Sequence, residues 1–201
     1  MISINNIYQA REKIKPFVVK TPLIRLQNLD EYAGCEVYAK LENMQNTKAF
    51  KLRGAMNKIL SLTDEEKKAG IICSSSGNHG QAVSFASKLL GIKATIVIPE
   101  TAPEFKVEAI RQHGAATEFC TVDDRFIVTE ALAEKHGYTI VPPFEDDLVM
   151  AGQGTVGLEI MDEDIPFDHV LVPASGGGLI GGVSTAMKES GFKGNVIGVE
   201  P

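Results

Sequence analysis

The chain has 201 residues, of which 44% are hydrophobic and 23% charged, the composition of an ordinary globular protein. A formal net charge of −6 argues against a nucleic-acid partner, and no segment has the roughly 20 consecutive apolar residues that span a bilayer. Cys35, Cys73 and Cys120 lack the spacing of a metal site or a disulfide framework, and the first residues lack an apolar signal segment. We expect a cytoplasmic protein with buried thiols and no membrane partner.

Apolar segments of strand length alternate with helical patterns along the chain. The segments predicted to be strands are 36–42, 70–75, 93–99, 116–120, 138–142, 169–174 and 195–200. Between them, apolar residues recur at helical spacing: Ala55, Ile59 and Leu62, then Ala82, Phe85, Ala86 and Leu89, then Leu179, Val183 and Met187. This alternation predicts an α/β protein with parallel sheet, in which sites gather at the carboxyl ends of strands.

The segment AFKLRGA (49–55) places a lysine where a helical pattern begins. Burial, or the nearby cation of Arg53, would lower the pKa of Lys51, as a lysine that reacts as a nucleophile requires. The alternative is a solvated lysine whose stem covers apolar surface at the start of a helix. On this residue alone, the alternative is favoured.

The segment CSSSGNHGQA (73–82) lies between a predicted strand and a predicted helix. Residues 74–79 carry polar side chains at five of six positions. One serine or asparagine is enough to cap a helix, so the excess favours a binding role. Hydroxyl groups and backbone N–H groups in such a loop can bind a carboxylate.

The segment VLVPASGGGLIGG (170–182) is a strand followed by a glycine-rich turn and a helix. Glycines let successive backbone N–H groups converge, and the helix N-terminus adds positive potential, so the turn predicts a phosphate site. Gly176, Gly178, Gly181 and Glu200 also fit the spacing of a dinucleotide fingerprint. Against that interpretation, only one strand–helix–strand unit fits between this turn and the end of the chain. GQGTVG (152–157) repeats the glycine spacing, but no predicted strand precedes it.

A reactive amine, a carboxylate-binding loop and a phosphate-binding turn together favour one cofactor. Pyridoxal 5′-phosphate carries an aldehyde that condenses with a lysine amine, and its ring accepts carbanion charge from an amino-acid substrate. Each of the three loops matches one requirement of that chemistry. The combination therefore predicts an enzyme that uses pyridoxal phosphate on amino acids.

Four segments, AFKLRGA, SSGNHGQA, AGQGTVGLEIM and PASGGGLIGG, occur in that order and span most of the chain. With them, the sequence resembles the threonine dehydratase and serine racemase family of pyridoxal-phosphate enzymes, which has the tryptophan-synthase-β-like fold (fold type II). The FKLRG context favours the dehydratase branch over related sulfhydrylases. The resemblance implies two α/β lobes, each a parallel sheet in three layers. The smaller lobe is expected at 44–145 and the larger at 1–43 and 146–201, incomplete because the family's chain continues past Pro201.

The resemblance also implies roles for individual residues. Lys51 is expected to be the catalytic base and to carry the cofactor, with Phe50 near the ring and Asn78 on the phenolic oxygen. The expected phosphate contacts are Ser175, Gly176, Gly177, Gly178 and Leu179. The expected contacts of the substrate carboxylate are Ser75, Ser76, Asn78 and His79. Glu200 matches a residue that binds a divalent cation in racemase relatives, with further ligands expected past the end of this chain.

The two branches of this family perform different reactions. Dehydration removes the α-proton of threonine or serine and expels the β-hydroxyl group, giving a 2-oxo acid and ammonia. Racemisation needs a second acid–base group opposite Lys51, and Ser76 matches the racemase serine. VPPFEDD (141–147), with the aromatic Phe144, resembles the dehydratase loop. We expect a dehydratase that acts on a β-hydroxy amino acid, with the choice among threonine, serine and hydroxyaspartate left open, and that assembles as a homo-oligomer. The alternatives are a racemase, an inactive fragment and a dinucleotide-binding protein.

Overall fold

The computed structural model describes residues 1–200. The helices are α1 (Ile4–Ile14), α2 (Gln27–Ala33), α3 (Lys51–Leu60), α4 (Asp64–Ala69), α5 (Asn78–Leu90), α6 (Glu104–Arg111), α7 (Arg125–His136), α8 (Asp147–Met161) and α9 (Gly178–Glu189). The strands are β1 (Leu23–Arg25), β2 (Tyr38–Lys40), β3 (Ile71–Ser74), β4 (Ala94–Pro99), β5 (Ala116–Cys120), β6 (Thr139–Ile140), β7 (His169–Pro173) and β8 (Asn195–Val199). A short 3₁₀ turn covers Glu42–Met44.

The strands pair in three separate sheets. A parallel four-stranded sheet has the order β5-β4-β3-β6, and β7 pairs with β8 in parallel. Every predicted strand forms, most of them shorter by a residue or more than expected. β1 was not predicted, and it pairs with β2 in the antiparallel direction. The α/β class with parallel sheet is therefore confirmed, with this antiparallel pair as an addition.

The four-stranded sheet is the middle of three layers. Ile71 and Ile96 face a core cluster that includes residues of α3, α5 and α6. Ile72 and Val97, the next residues along the same strands, face the opposite cluster with Ala133 of α7. Because both faces are covered, these strands are continuously apolar in sequence, as buried parallel strands are.

Helices α1, α8 and α9 pack together beside this sheet. α8 is buried at every position from Ala151 to Ile160, because α1, α3 and α9 surround it. The GQGTVG sequence lies inside this helix and forms no turn. α3 packs against both α5 and α8, so it connects the helices on the four-stranded sheet to the group formed by α1, α8 and α9. The lobe boundaries at 44 and 145 stay a prediction.

The helices and the three cysteines bear on what the sequence predicts about membrane segments and thiols. No helix within residues 1–200 is long and apolar enough to cross a membrane. All three cysteines are free, and Cys73 and Cys120 are buried as expected. The expectation is wrong for Cys35, which is exposed because it follows Gly34 in the left-handed turn that ends α2.

Candidate cofactor and substrate site

Lys51 is the first residue of α3 and extends its amine into a cavity. Its Nζ atom donates a hydrogen bond of 2.6 Å to the carbonyl oxygen of Pro143. The same atom lies 5.3 Å from the ring centroid of Phe50 and 5.9 Å from that of Phe144. Burial beside these rings lowers the pKa of Lys51. Of the two causes considered from the sequence, burial rather than the Arg53 cation is therefore the one at work.

The glycine-rich turn connects the carboxyl end of β7 to α9. Gly177 has a φ of 81°, a left-handed conformation that favours glycine. A side chain at Gly176 would place its Cβ atom 2.3 Å from the Phe144 ring, so only glycine fits there. Among the described residues, the backbone N–H groups of 175–180 have no hydrogen-bond acceptor. A row of such N–H groups at a helix N-terminus has the geometry that suits an anion.

Lys51 and the glycine-rich turn share one cavity of about 270 Å³. Its lining comprises Phe50, Lys51, Phe144 and residues 173–180. The cavity therefore combines an amine, two aromatic rings and a row of backbone N–H donors. This donor set fits an aromatic aldehyde with a phosphate group, the chemistry of pyridoxal phosphate.

The polar loop 74–79 follows the carboxyl end of β3 and leads into α5. The Oγ atom of Ser75 accepts a hydrogen bond from the N–H group of Gly77, and Asn78 is exposed at the first position of the helix. The Ser76 hydroxyl makes no hydrogen bond among the described residues. The N–H groups of 78–80 likewise have no acceptor there. The loop therefore presents hydroxyl and N–H donors suited to a carboxylate, although it does not line the 270 Å³ cavity itself.

His79 has a different environment from its neighbours in this loop. Its side chain is 3% exposed, and Nε2 donates to the carbonyl oxygen of Val141 at 2.9 Å. Burial lowers the pKa of His79 to about 4, and the Lys51 ammonium contributes a smaller lowering. The imidazole is therefore neutral and occupied by the backbone. What His79 offers to an anion is its N–H group in the first turn of α5.

The segment 141–144 connects the two groups of predicted site residues. Val141 accepts from His79 in the polar loop, and Pro143 accepts from Lys51 in the cavity. Phe144 then packs against the glycine-rich turn. Nothing in the sequence indicates the Pro143 contact, because its acceptor is a backbone atom. Phe144 stands out in the sequence only through its resemblance to the dehydratase loop.

Two other predictions concern the end of β8. Glu200 is exposed, and within residues 1–200 no group of three or more His, Cys, Asp or Glu side chains could hold a metal ion.

Gly176 and Glu200 do follow neighbouring parallel strands, as a dinucleotide fingerprint requires. The geometry of the β7–α9–β8 unit alone therefore does not distinguish a site for pyridoxal phosphate from a site for a dinucleotide. The half-buried Lys51 amine beside two aromatic rings in the same cavity favours a ligand with an aromatic aldehyde over a dinucleotide.

Comparison with known proteins points to the same cofactor. The family profile described as pyridoxal-phosphate dependent enzyme matches residues 14–201. The chain belongs to this family. The catabolic L-threonine dehydratase TdcB of Staphylococcus aureus (strain USA300) is 47% identical to it over 203 residues. That match covers 100% of this chain and 59% of the relative, so the chain spans less than two thirds of the relative's length.

Solved structures of related enzymes share the fold. Serine racemase from Dictyostelium discoideum is 40% identical, with a TM-score of 0.94 over 100% of this chain and 66% of that one. The processed form of threonine deaminase isoform 2 from Solanum lycopersicum is 36% identical, with a TM-score of 0.91 over 98% of this chain and 56% of that one. The tryptophan-synthase-β-like fold expected from the sequence is confirmed by these likenesses.

Proposed function

We propose that this chain forms the lysine-bearing part of a pyridoxal-phosphate ammonia-lyase that acts on L-threonine or L-serine. The observation that carries the proposal is the cavity that Lys51 shares with the glycine-rich turn, whose N–H groups have no acceptor within residues 1–200. The 47% identity with a threonine dehydratase supports the choice of reaction.

Pyridoxal phosphate, when bound, supplies an aldehyde that takes an amine and a ring that accepts the electron pair left by the α-proton. Lys51 would hold the cofactor through Nζ, and the free amine would receive the α-proton at the same atom. Its lowered pKa raises the neutral, proton-accepting fraction of the amine near neutral pH. Phe50 and Phe144 limit the access of water to that atom.

The remaining site residues bind and orient. The N–H groups of Ser175, Gly176, Gly177, Gly178 and Leu179 hold the phosphate at the start of α9. By the family resemblance, Asn78 would hold the phenolic oxygen of the cofactor, and Ser75, Ser76 and the N–H group of His79 would hold the substrate carboxylate. Loss of the β-hydroxyl group and hydrolysis then give a 2-oxo acid and ammonia.

The test is an assay of 2-oxo acid formation from L-threonine and L-serine after addition of pyridoxal phosphate. The expected result is release of 2-oxo acid and ammonia in equal amounts. The matched controls are Lys51→Ala, which removes the proposed base, and Lys58→Ala on the same helix but outside the cavity. Activity that survives in Lys51→Ala would contradict the proposal.

A racemase is the second candidate, favoured by Ser76 and by the likeness to serine racemase. The Ser76 hydroxyl is half-buried and free of hydrogen bonds among the described residues, so it is available as a second acid–base group. Ser76→Ala should abolish formation of the D-amino acid while sparing much of the elimination. An equal loss of both activities would exclude this role.

The proposal also covers the location of the protein, its assembly and a cation site. The free cysteines are compatible with a cytoplasmic location. A homo-oligomer is proposed from the family resemblance alone. The divalent cation at Glu200 stays a prediction, because ligands beyond Glu200 would have to complete its site.

A further inference from the structure

Arg53 is completely buried two residues after Lys51, on the same helix. Its Nε and Nη2 atoms each donate to the Glu42 carboxylate at 2.8 Å. Its Nη1 and Nη2 atoms donate to the Glu159 carboxylate at 2.6 Å and 2.9 Å. One guanidinium thus binds two carboxylates in forked geometry, which requires fixed positions for all three side chains.

The surrounding groups complete this network. The Nζ atom of Lys40 donates to Glu159 at 2.6 Å, so two cations face two carboxylates and the network is neutral. Further acceptors for Arg53 are the Thr155 hydroxyl and the Val19 carbonyl, each at 3.2 Å. The network joins α3 to β2, to the 3₁₀ turn and to α8.

A buried ion network of this kind is weak evidence for added stability, because apolar residues of similar volume often stabilise a core as well or better. Such a network does fix the relative positions of its side chains, and the first turn of α3 has no side-chain cap to hold it. Phe50 at the N-cap makes no side-chain cap, and Lys48 just before it has a strained φ of 60°. Without a side-chain cap, the first N–H groups of a helix depend on other partners. Here the backbone N–H group of Arg53 donates to the Phe50 carbonyl oxygen at 3.0 Å, and those of Lys51 and Leu52 have no acceptor within residues 1–200.

Two tertiary contacts hold this turn in place of a cap. Arg53 anchors it through its side chain, and the N–H group of Gly54 donates to Gln153 of α8 at 3.2 Å. Gly152 lets the helices approach closely, since a Cβ atom there would lie 2.5 Å from the Arg53 carbonyl oxygen. Lys51 is the first residue of the turn that these contacts immobilise.

We propose that Arg53 is a positioning residue for Lys51: its forked contacts with Glu42 and Glu159 fix the first turn of α3 and so hold the lysine amine in the cavity. The inference rests on the proposed function only in taking Lys51 as the reactive amine. Because the network is neutral, Arg53 acts through geometry and not through its charge.

The expected consequence is a change in the environment of the Lys51 amine. When the first turn loosens, water reaches Nζ, and the pKa of Lys51 rises towards its ordinary value. Below that pKa, each unit of rise lowers the neutral fraction, and with it the acylation rate, about tenfold. Acetylation of Lys51 against pH, followed by mass spectrometry, measures this without cofactor or activity.

Two variants separate position from charge. Arg53→Lys keeps the cation but places all donors on one nitrogen, so it cannot fork to both carboxylates. Arg53→Met combined with Glu42→Gln removes one cation and one anion and keeps the Lys40–Glu159 pair. The control is Asn57→Ala, which removes another buried contact between α3 and α8, its 2.7 Å bond to the Leu148 carbonyl.

The positioning role predicts that both Arg53 variants shift the Lys51 profile to higher pH and lower the pyridoxal phosphate captured at Lys51 several-fold. Asn57→Ala should lose stability and leave the Lys51 profile in place. Parental profiles in both Arg53 variants would overturn the inference. Loss of native circular dichroism in both would also overturn it, since Arg53 would then be required for the fold itself.

The profile without cofactor keeps this test separate from the proposed function. Failure of the parent chain to capture pyridoxal phosphate at Lys51 would count against the function. In that case the shift of the Lys51 acetylation profile in the Arg53 variants would still test the positioning role.

Discussion

The Nζ atom of Lys51 lies 2.6 Å from the carbonyl oxygen of Pro143, a residue 92 positions away in sequence. Two residues before Pro143, the Val141 carbonyl oxygen accepts a 2.9 Å hydrogen bond from His79. One short segment after β6 therefore contacts both the Lys51 amine and the polar loop after β3. The same segment thus links the Lys51 amine to the loop that holds the proposed carboxylate-binding donors.

The first prediction concerns the ionisation of Lys51. Burial beside Phe50 and Phe144 lowers its pKa, so the amine should lose its proton at lower pH than free N-acetyl-lysine amide. Competitive acetylation across neutral to alkaline pH would give the midpoint of the Lys51 profile. A midpoint equal to that of the free compound would show that the amine is fully hydrated.

The second prediction concerns the glycine-rich turn. Gly176→Ala would press a Cβ atom into the Phe144 ring, 2.3 Å away, and drive the ring into the cavity. Overpacking of this kind costs about 1–3 kcal/mol, and a loss of binding free energy of that size lowers the capture of pyridoxal phosphate roughly 5- to 150-fold. The measurement is a titration of the chain with the cofactor.

Gly181→Ala is the matched control for that variant, because its Cβ atom would meet only Met150 at 3.5 Å, an ordinary contact. It should bind the cofactor as the parent does. Adding Phe144→Ala to Gly176→Ala should restore stability by removing the clash. If Gly176→Ala and Gly181→Ala bound the cofactor equally well, the contact between Gly176 and Phe144 would have no role in cofactor binding.

The third prediction concerns pH and the buried His79. Its pKa falls from 6.5 to about 4 on folding, so between these values the unfolded chain binds a proton that the folded chain does not. The free energy of unfolding should therefore decrease as the pH falls from 6.5 to about 4, with a contribution from His79 of up to about 3 kcal/mol. Urea unfolding at neutral pH and near the lower end of this range measures the loss.

His79→Asn removes the titrating group and keeps a donor for the Val141 carbonyl oxygen. This variant should lose less stability than the parent between the two pH values. The exposed His136, replaced by Asn, serves as the control and should retain the parental loss. The same loss in the parent and in His79→Asn would assign the acid sensitivity to other groups.

The strands and loops that could be predicted from sequence are those with a local pattern. β3 and β4 are buried on both faces, so they are continuously apolar and easily recognised. Serine, asparagine and glycine residues mark both loops at the carboxyl ends of their strands. β1 was missed because three residues, Leu-Ile-Arg, are too few to show a period.

The contacts that complete the site have no local pattern. Arg53 and Glu159 are 106 positions apart, and a pairing of charges at that distance leaves no periodic trace in the chain. Pro143 acts through a carbonyl group that every residue possesses. The polar neighbours of His79 suggest a place beside the carboxylate, and only the fold shows that its imidazole is buried against Val141.

The most direct test of the central claim is to locate the cofactor on the chain. The purified chain would be mixed with pyridoxal phosphate, its visible absorption recorded, and the adduct fixed with borohydride before peptide mapping. The account predicts an absorption band at longer wavelength than that of the free cofactor and a single modified residue, Lys51. Label spread over exposed lysines, or no band at all, would contradict it.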